Sequence, residues 1–164
     1  MTALNLKTLL AAGALVALNA MAQAPAVRVD SAWARATVPG QKGTGAFMTL
    51  TAQQSLRLVG VASPVAGVAE IHEMKMEGDV MRMRSIAGLD LPAGKSVALR
   101  PGGYHLMLMD LKQPLVKDTQ VPMTLRFADA QGKTSEMQLS LPIALAAPAG
   151  APKAPAGHGA HKHH

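Results

Sequence analysis

Ahead of the C-terminal tail the chain has only two histidines, His72 and His105, and both stand among methionines. The segments read His72-Glu73-Met74-Lys75-Met76, then Met81-Arg82-Met83, then His105-Leu106-Met107-Leu108-Met109. In extended chain, residues two apart share a face. His105, Met107 and Met109 therefore point one way, and Leu106 and Leu108 the other. A turn at Gly78-Asp79 predicts that Glu77 faces Val80, Met76 faces Met81, Met74 faces Met83 and His72 faces Ser85. His72 and Met83 are then diagonal neighbours on one face, with Cβ atoms about 7 Å apart or somewhat less. A third strand carrying His105 and Met107 need only lie nearby.

Imidazole nitrogen and thioether sulfur are neutral, soft donors that favour Cu(I) and offer little to Mg, Ca or Mn. A thioether has no proton to lose and cannot be closed into a disulfide, so it stays available where thiols are oxidised. The competing reading of the same residues is packing. Methionine on one strand face is usually core filling, the role expected of Met48, Met123 and Met137, and a lone histidine is often a satisfied polar residue at an edge.

The elements that must position these groups read as strands. Val121, Met123, Leu125 and Phe127 alternate with polar neighbours, as do Met137, Leu139 and Leu141. Further candidates are Val27 to Ala36, Gly45 to Ala52, Leu56 to Ala62, Val68 to Met76, Val80 to Ile86, Ser96 to Leu99 and His105 to Leu111. Turn signals separate them at Pro39-Gly40, Ser63-Pro64, Gly78-Asp79, Pro92-Ala93-Gly94 and Pro101-Gly102-Gly103. About nine short strands and no long amphipathic helix predict an all-β sandwich or Greek-key barrel.

Residues 1–22 hold one charge, Lys7, then an apolar run from Leu9 to Leu18 and the small-residue pattern Ala20-Met21-Ala22. This reads as a signal peptide cleaved after Ala22, since the run is well short of the ~20 residues that span a bilayer. The expectation is export to the periplasm, a folded domain over 23–145 and no membrane span in the mature chain. Residues 146–164, rich in Ala, Pro and Gly and ending in His158, His161, Lys162, His163 and His164, read as a disordered tail. The net charge of +6 is spread without a dense run, and aromatic residues are only 2% of the chain, which argues against nucleic acid as a partner. There is no Cys nucleophile, Gly-x-Ser-x-Gly elbow, phosphate loop or His-Glu-x-x-His motif, so an enzyme is not expected.

The order His72, ten residues, Met83, twenty-one residues, His105, one residue, Met107 resembles the signature of the PCu(A)C family of periplasmic copper chaperones. The flanks are similar too: Asp30-Ser31-Ala32-Trp33-Ala34-Arg35, Pro39-Gly40-Gln41, Gly45-Ala46-Phe47-Met48, Glu70-Ile71-His72-Glu73-Met74, Leu91-Pro92-Ala93-Gly94 and Pro101-Gly102-Gly103-Tyr104-His105-Leu106-Met107. The resemblance implies a cupredoxin-like Greek-key β-barrel or sandwich that binds Cu(I) through His72, Met83, His105 and Met107. It also implies delivery towards the CuA centre of cytochrome c oxidase subunit II or another periplasmic copper protein. A monomer is expected, although the sequence does not fix the oligomeric state. Met74, Met76, Met81 and Met109 fall outside the four-ligand pattern and are expected either around those ligands or as plain packing. The tail resembles the Met- and His-rich extensions of some members, which implies Cu(II) at His158, His161, His163 and His164. It has no Met, however, and imidazoles alone suit Zn or Ni as well. The other functions compatible with the sequence are a periplasmic copper buffer and a metal-free secreted interaction module.

Overall fold

Alternation along Val121, Met123, Leu125 and Phe127 produces a strand with one buried face, as expected. The computed structural model describes residues 26–153, and within them every regular element is a strand. In chain order these are β1 (Val27–Arg35), β2 (Gly43–Ala52), β3 (Leu56–Ala62), β4 (Ala66–Glu77), β5 (Val80–Ser85), β6 (Leu89–Leu91), β7 (Ser96–Leu99), β8 (His105–Leu111), β9 (Gln120–Ala128) and β10 (Thr134–Ala144). The strand that sequence reading omits is β6. Its three residues are too short to show a period, but Leu89 and Leu91 are buried while Asp90 pairs outward with Arg57 at 2.6 Å.

The strand order β5-β4-β8-β2-β1-β10-β9-β3-β6 is open at both ends, with β7 paired to β2 beside this path. β10 joins two layers: Thr134–Pro142 pair with β9, while Ile143 and Ala144 run parallel to Ala34 and Arg35 of β1. The result is the sandwich form of the expected cupredoxin-like fold. Between the layers, Met48, Leu50, Ile71, Leu106 and Leu108 meet Leu58, Leu91, Met123, Leu125, Phe127 and Leu141. Each such side chain withdrawn from water contributes roughly 1.5–3 kcal/mol.

The boundary expected at Leu145 falls short of the packed structure. Ala147 and Ala151 lie against a second cluster formed by Trp33 and Phe47, and Ser31 donates a hydrogen bond to the Gly150 carbonyl at 3.1 Å. Small residues with little side-chain entropy to lose can seat flat on two aromatic rings. The proposed leader, residues 1–22, and the tail histidines His158, His161, His163 and His164 lie outside the described residues.

Candidate metal centre

The centre is built on the outer face of the layer that contains β4, β8 and β2. In β4, Ile71 enters the core, leaving Glu70, His72, Met74 and Met76 on the opposite face; in β8, Leu106 and Leu108 enter the core, leaving His105, Met107 and Met109 outside. The β4–β8 register places His72 opposite His105 and Glu70 opposite Met107. The β4–β5 hairpin has the register expected from its turn, with Met76 opposite Met81, Met74 opposite Met83 and His72 opposite Ser85. Of the two turn residues only Gly78 has a positive φ, 61°, the pattern of a II′ turn with glycine first.

Two irregularities shape the site. β7 pairs with β2 up to Leu99 opposite Met48, and β8 resumes on the same edge with Leu106 opposite Ala46. Residues 100–104 therefore swing out of the layer opposite Phe47. The Gly103 carbonyl accepts a bond from the Met74 amide at 3.1 Å, which ties this excursion to β4. The second irregularity is a bulge in β1 between Asp30 and Trp33, where Ser31 has φ 51°. Before it Val27 and Val29 face the core; after it Ala32 and Ala34 do. The phase change turns Trp33 to the outer face, where its ring lies 4.8 Å from Phe47, itself 6.4 Å from His105.

His105, Met83, Met107 and Met74 line one cavity of about 300 Å³, together with Arg35 and Phe47. The floor is glycine: a Cβ on Gly45 would stand 2.6 Å from the Phe47 ring, and one on Gly43 would stand 3.2 Å from the Met107 methyl. His72 is not part of the cavity lining. It lies beside His105, with ring centroids 5.7 Å apart. Met76 and Met81 continue the same face towards the hairpin tip, and Met109 lies on the Gly43 side.

Hydrogen bonds decide which ring nitrogens are free. His105 Nδ1 lies 3.0 Å from the Gly103 carbonyl oxygen. A carbonyl only accepts, so Nδ1 carries the proton and Nε2 keeps its lone pair. Burial lowers the His105 pKa from its ordinary value of 6.5; the Gly103 bond opposes this, and the charge of His72 lowers it further. The neutral ring presents Nε2 to the Met83 sulfur at 3.3 Å. His72 Nε2 donates to a Glu70 carboxylate oxygen at 2.8 Å, and His72 Nδ1 is buried with no protein partner. An unsatisfied buried polar atom costs about 1–3 kcal/mol, a cost that a ligand can remove. Among the described residues no three His, Cys, Asp or Glu side chains gather to hold a metal ion; the donors that share the cavity with His105 are the sulfurs of Met74, Met83 and Met107.

Sequence reading did not assign a role to Glu70, although it stands two residues before His72 and therefore on the same face. It also gave none to Trp33, Phe47, Gly43 or Gly45, whose part depends on a bulge and on close approaches that no pattern announces.

The family described as "Putative lipoprotein LpqE-like" matches residues 27–139. The chain belongs to the LpqE-like family. A curated relative, "Putative lipoprotein Lxx21020" of Leifsonia xyli subsp. xyli (strain CTCB07), is 35% identical over 114 residues, spanning 69% of this chain and 68% of that protein. Among solved structures, the apo PCuAC domain from PmoF1 is 26% identical, with a TM-score of 0.60, over 73% of this chain and 93% of that domain. The solution structure of Cu(I)-bound DR1885 from Deinococcus radiodurans is 32% identical, with a TM-score of 0.57, over 77% of this chain and 84% of that one. The LpqE-like match contains every strand that carries the centre and ends before the segment that packs on Trp33.

Proposed function

We propose that this protein is a copper chaperone of the periplasm, exported by the leader at residues 1–22, that carries Cu(I) as cargo on His72, Met83, His105 and Met107. The observation that carries this reading is His105 Nε2 facing the Met83 sulfur at 3.3 Å while the Gly103 carbonyl takes the ring proton at Nδ1. Two lone pairs that close repel unless a cation bridges them. Bonds of about 2.0 Å to nitrogen and 2.3 Å to sulfur at a tetrahedral centre put the two donors about 3.5 Å apart. Soft thioethers select Cu(I) among such cations. The orphaned His72 Nδ1 and the cavity-lining Met107 supply the remaining donors. Similarity to a Cu(I)-bound protein and to PCuAC domains supports the same cargo.

Delivery follows from the ligand chemistry. Neutral donors leave the ion its charge, so each bond is weaker than one to thiolate. Met83 is 50% exposed, which leaves an incoming sulfur room to approach. The thiolate pair of a CuA domain in cytochrome c oxidase subunit II fits such a recipient. Nothing in this cycle transforms a substrate, so the protein acts as a carrier and not as an enzyme. The histidines of the tail, His158, His161, His163 and His164, form a separate imidazole set suited to Cu(II).

Anaerobic titration with Cu(I) against a chelator tests the reading: the first equivalent should bind tightly and perturb His105 and Met107. No binding would leave a metal-free interaction module. Mixing the loaded protein with a reduced, metal-free CuA domain should move copper to that domain; copper that stays behind would mean buffering instead of delivery.

A further inference from the structure

We propose a second, outer Cu(I) site at the tip of the β4–β5 hairpin, formed by Met76 and Met81, which passes the ion through Met74 and Met83 to and from the cavity. This rests on the Cu(I) reading of that cavity.

Every residue of β5 is exposed, so its methionines fill no core. Met76 is 54% exposed, Met81 45% and Met83 50%. The hairpin is two-faced. On one side Glu73, Lys75, Glu77, Arg82 and Arg84 stand as charged neighbours, with Arg84 paired to Glu73 at 2.6 Å and Arg82 to Glu77 at 3.0 Å. On the other side Met76 stands opposite Met81 and Met74 opposite Met83, with His72 and Ser85 on the rung beyond. A solvated face that needed only solubility would carry polar groups, as the opposite face does.

The pairing geometry suits a single ion per rung. Closure by a two-residue turn makes Glu77 and Val80 the hydrogen-bonded pair, so alternation makes Met76/Met81 and Met74/Met83 the closer, non-hydrogen-bonded pairs. Their Cβ atoms lie about 4.5–5.5 Å apart, and two flexible thioethers can bring their sulfurs to the ~4.6 Å that two bonds of about 2.3 Å allow. The next rung is two residues, or about 6.6 Å, further along the strands. Met74 and Met83 already line the cavity with His105 and Met107. A Cu(I) ion on the outer rung can therefore exchange one sulfur at a time into the inner site, with no step that leaves it without a donor.

The test is anaerobic Cu(I) titration of the whole protein carrying [13C-methyl]methionine, followed by NMR. The first equivalent should shift Met83 and Met107, and a second, weaker one should shift Met76 and Met81. In the Met76→Leu/Met81→Leu variant the first equivalent should bind as before, the second should be lost, and Cu(I) exchange with the chelator should slow several-fold. Methyl signals of Met76 and Met81 that stay still through excess Cu(I), or a double variant with unchanged stoichiometry and exchange rate, would overturn the proposal. Failure of the cavity reading gives a different result: Met83, Met107 and His105 would stay still at every ratio while Met76 and Met81 moved. Thermal unfolding of the variant should match the parent, because neither side chain is buried.

Discussion

The two faces of the β4–β8–β2 layer use methionine for opposite purposes. Met48 points inward from β2 and Met123 meets it from the facing layer, both buried among leucines. Met83 and Met107 face the other way, beside two histidines and over a glycine floor. The residue type is the same, and the parity of its position decides its work. Inside, the thioether is a flexible apolar filler; outside, its lone pair is available to a soft cation.

The comparison breaks most visibly under truncation of the inner set. Met48→Ala should cost about 2–5 kcal/mol of stability, read by denaturant unfolding, while Cu(I) affinity of the folded fraction stays as it was. Met83→Leu should do the reverse: about 1.5 kcal/mol of stability at most, because the volumes are close, with Cu(I) affinity clearly weakened. Equal affinity in that variant would remove Met83 from the ligand set.

Glu70 sharpens the outer side. Its carboxylate holds His72 by Nε2–H, and loss of a partner that orients a ligand imidazole costs about 10–100-fold in metal affinity. Glu70→Ala should show that loss, and Glu70→Gln, whose amide oxygen can still accept the proton, should recover much of it. Ring nitrogen chemical shifts of His72 provide the independent readout.

Two cuts separate the tail histidines from the strap, the segment 146–153 whose Ala147 and Ala151 pack on Trp33 and Phe47. Ending the chain after Lys153 should remove Cu(II) uptake at the histidines and leave the thermal transition in place. Ending it after Leu145 also strips Ala147 and Ala151 from Trp33 and Phe47, which should cost on the order of 1–2 kcal/mol and raise tryptophan exposure. Identical transitions for the two lengths would mean that the strap adds nothing.

The smallest effect is acid sensitivity, and His105 on the outer face carries it. His105 is held below its ordinary value of 6.5, chiefly by burial, so the unfolded chain binds its proton more readily than the folded one. The metal-free protein should therefore have its full stability above about pH 6.5 and lose some as pH falls through the lowered folded value. His105→Asn should flatten that part of the profile, as followed by thermal unfolding at a series of pH values.

Much of this was readable in advance. The Gly78-Asp79 turn and a two-residue period set the hairpin register correctly, because a short turn leaves few ways to pair its strands. The inward alternation of Val121 to Phe127 was equally plain. What stayed hidden depended on contacts between distant segments. β6 is held by β3, not by a pattern of its own. The end of the fold was placed too early at Leu145, since alanines and prolines look like tail until two aromatic rings lie beneath them.

The sequence by itself determined which side chains share a face, since covalent geometry alternates them along any strand, and it determined the chemistry on offer: imidazoles and thioethers without a single thiol. Only the tertiary structure decided which of the two strand faces lay outside and which lone pairs were left free. Those depend on a bulge at Ser31, an excursion at residues 100–104, and carbonyl and carboxylate oxygens that local periodicity does not place.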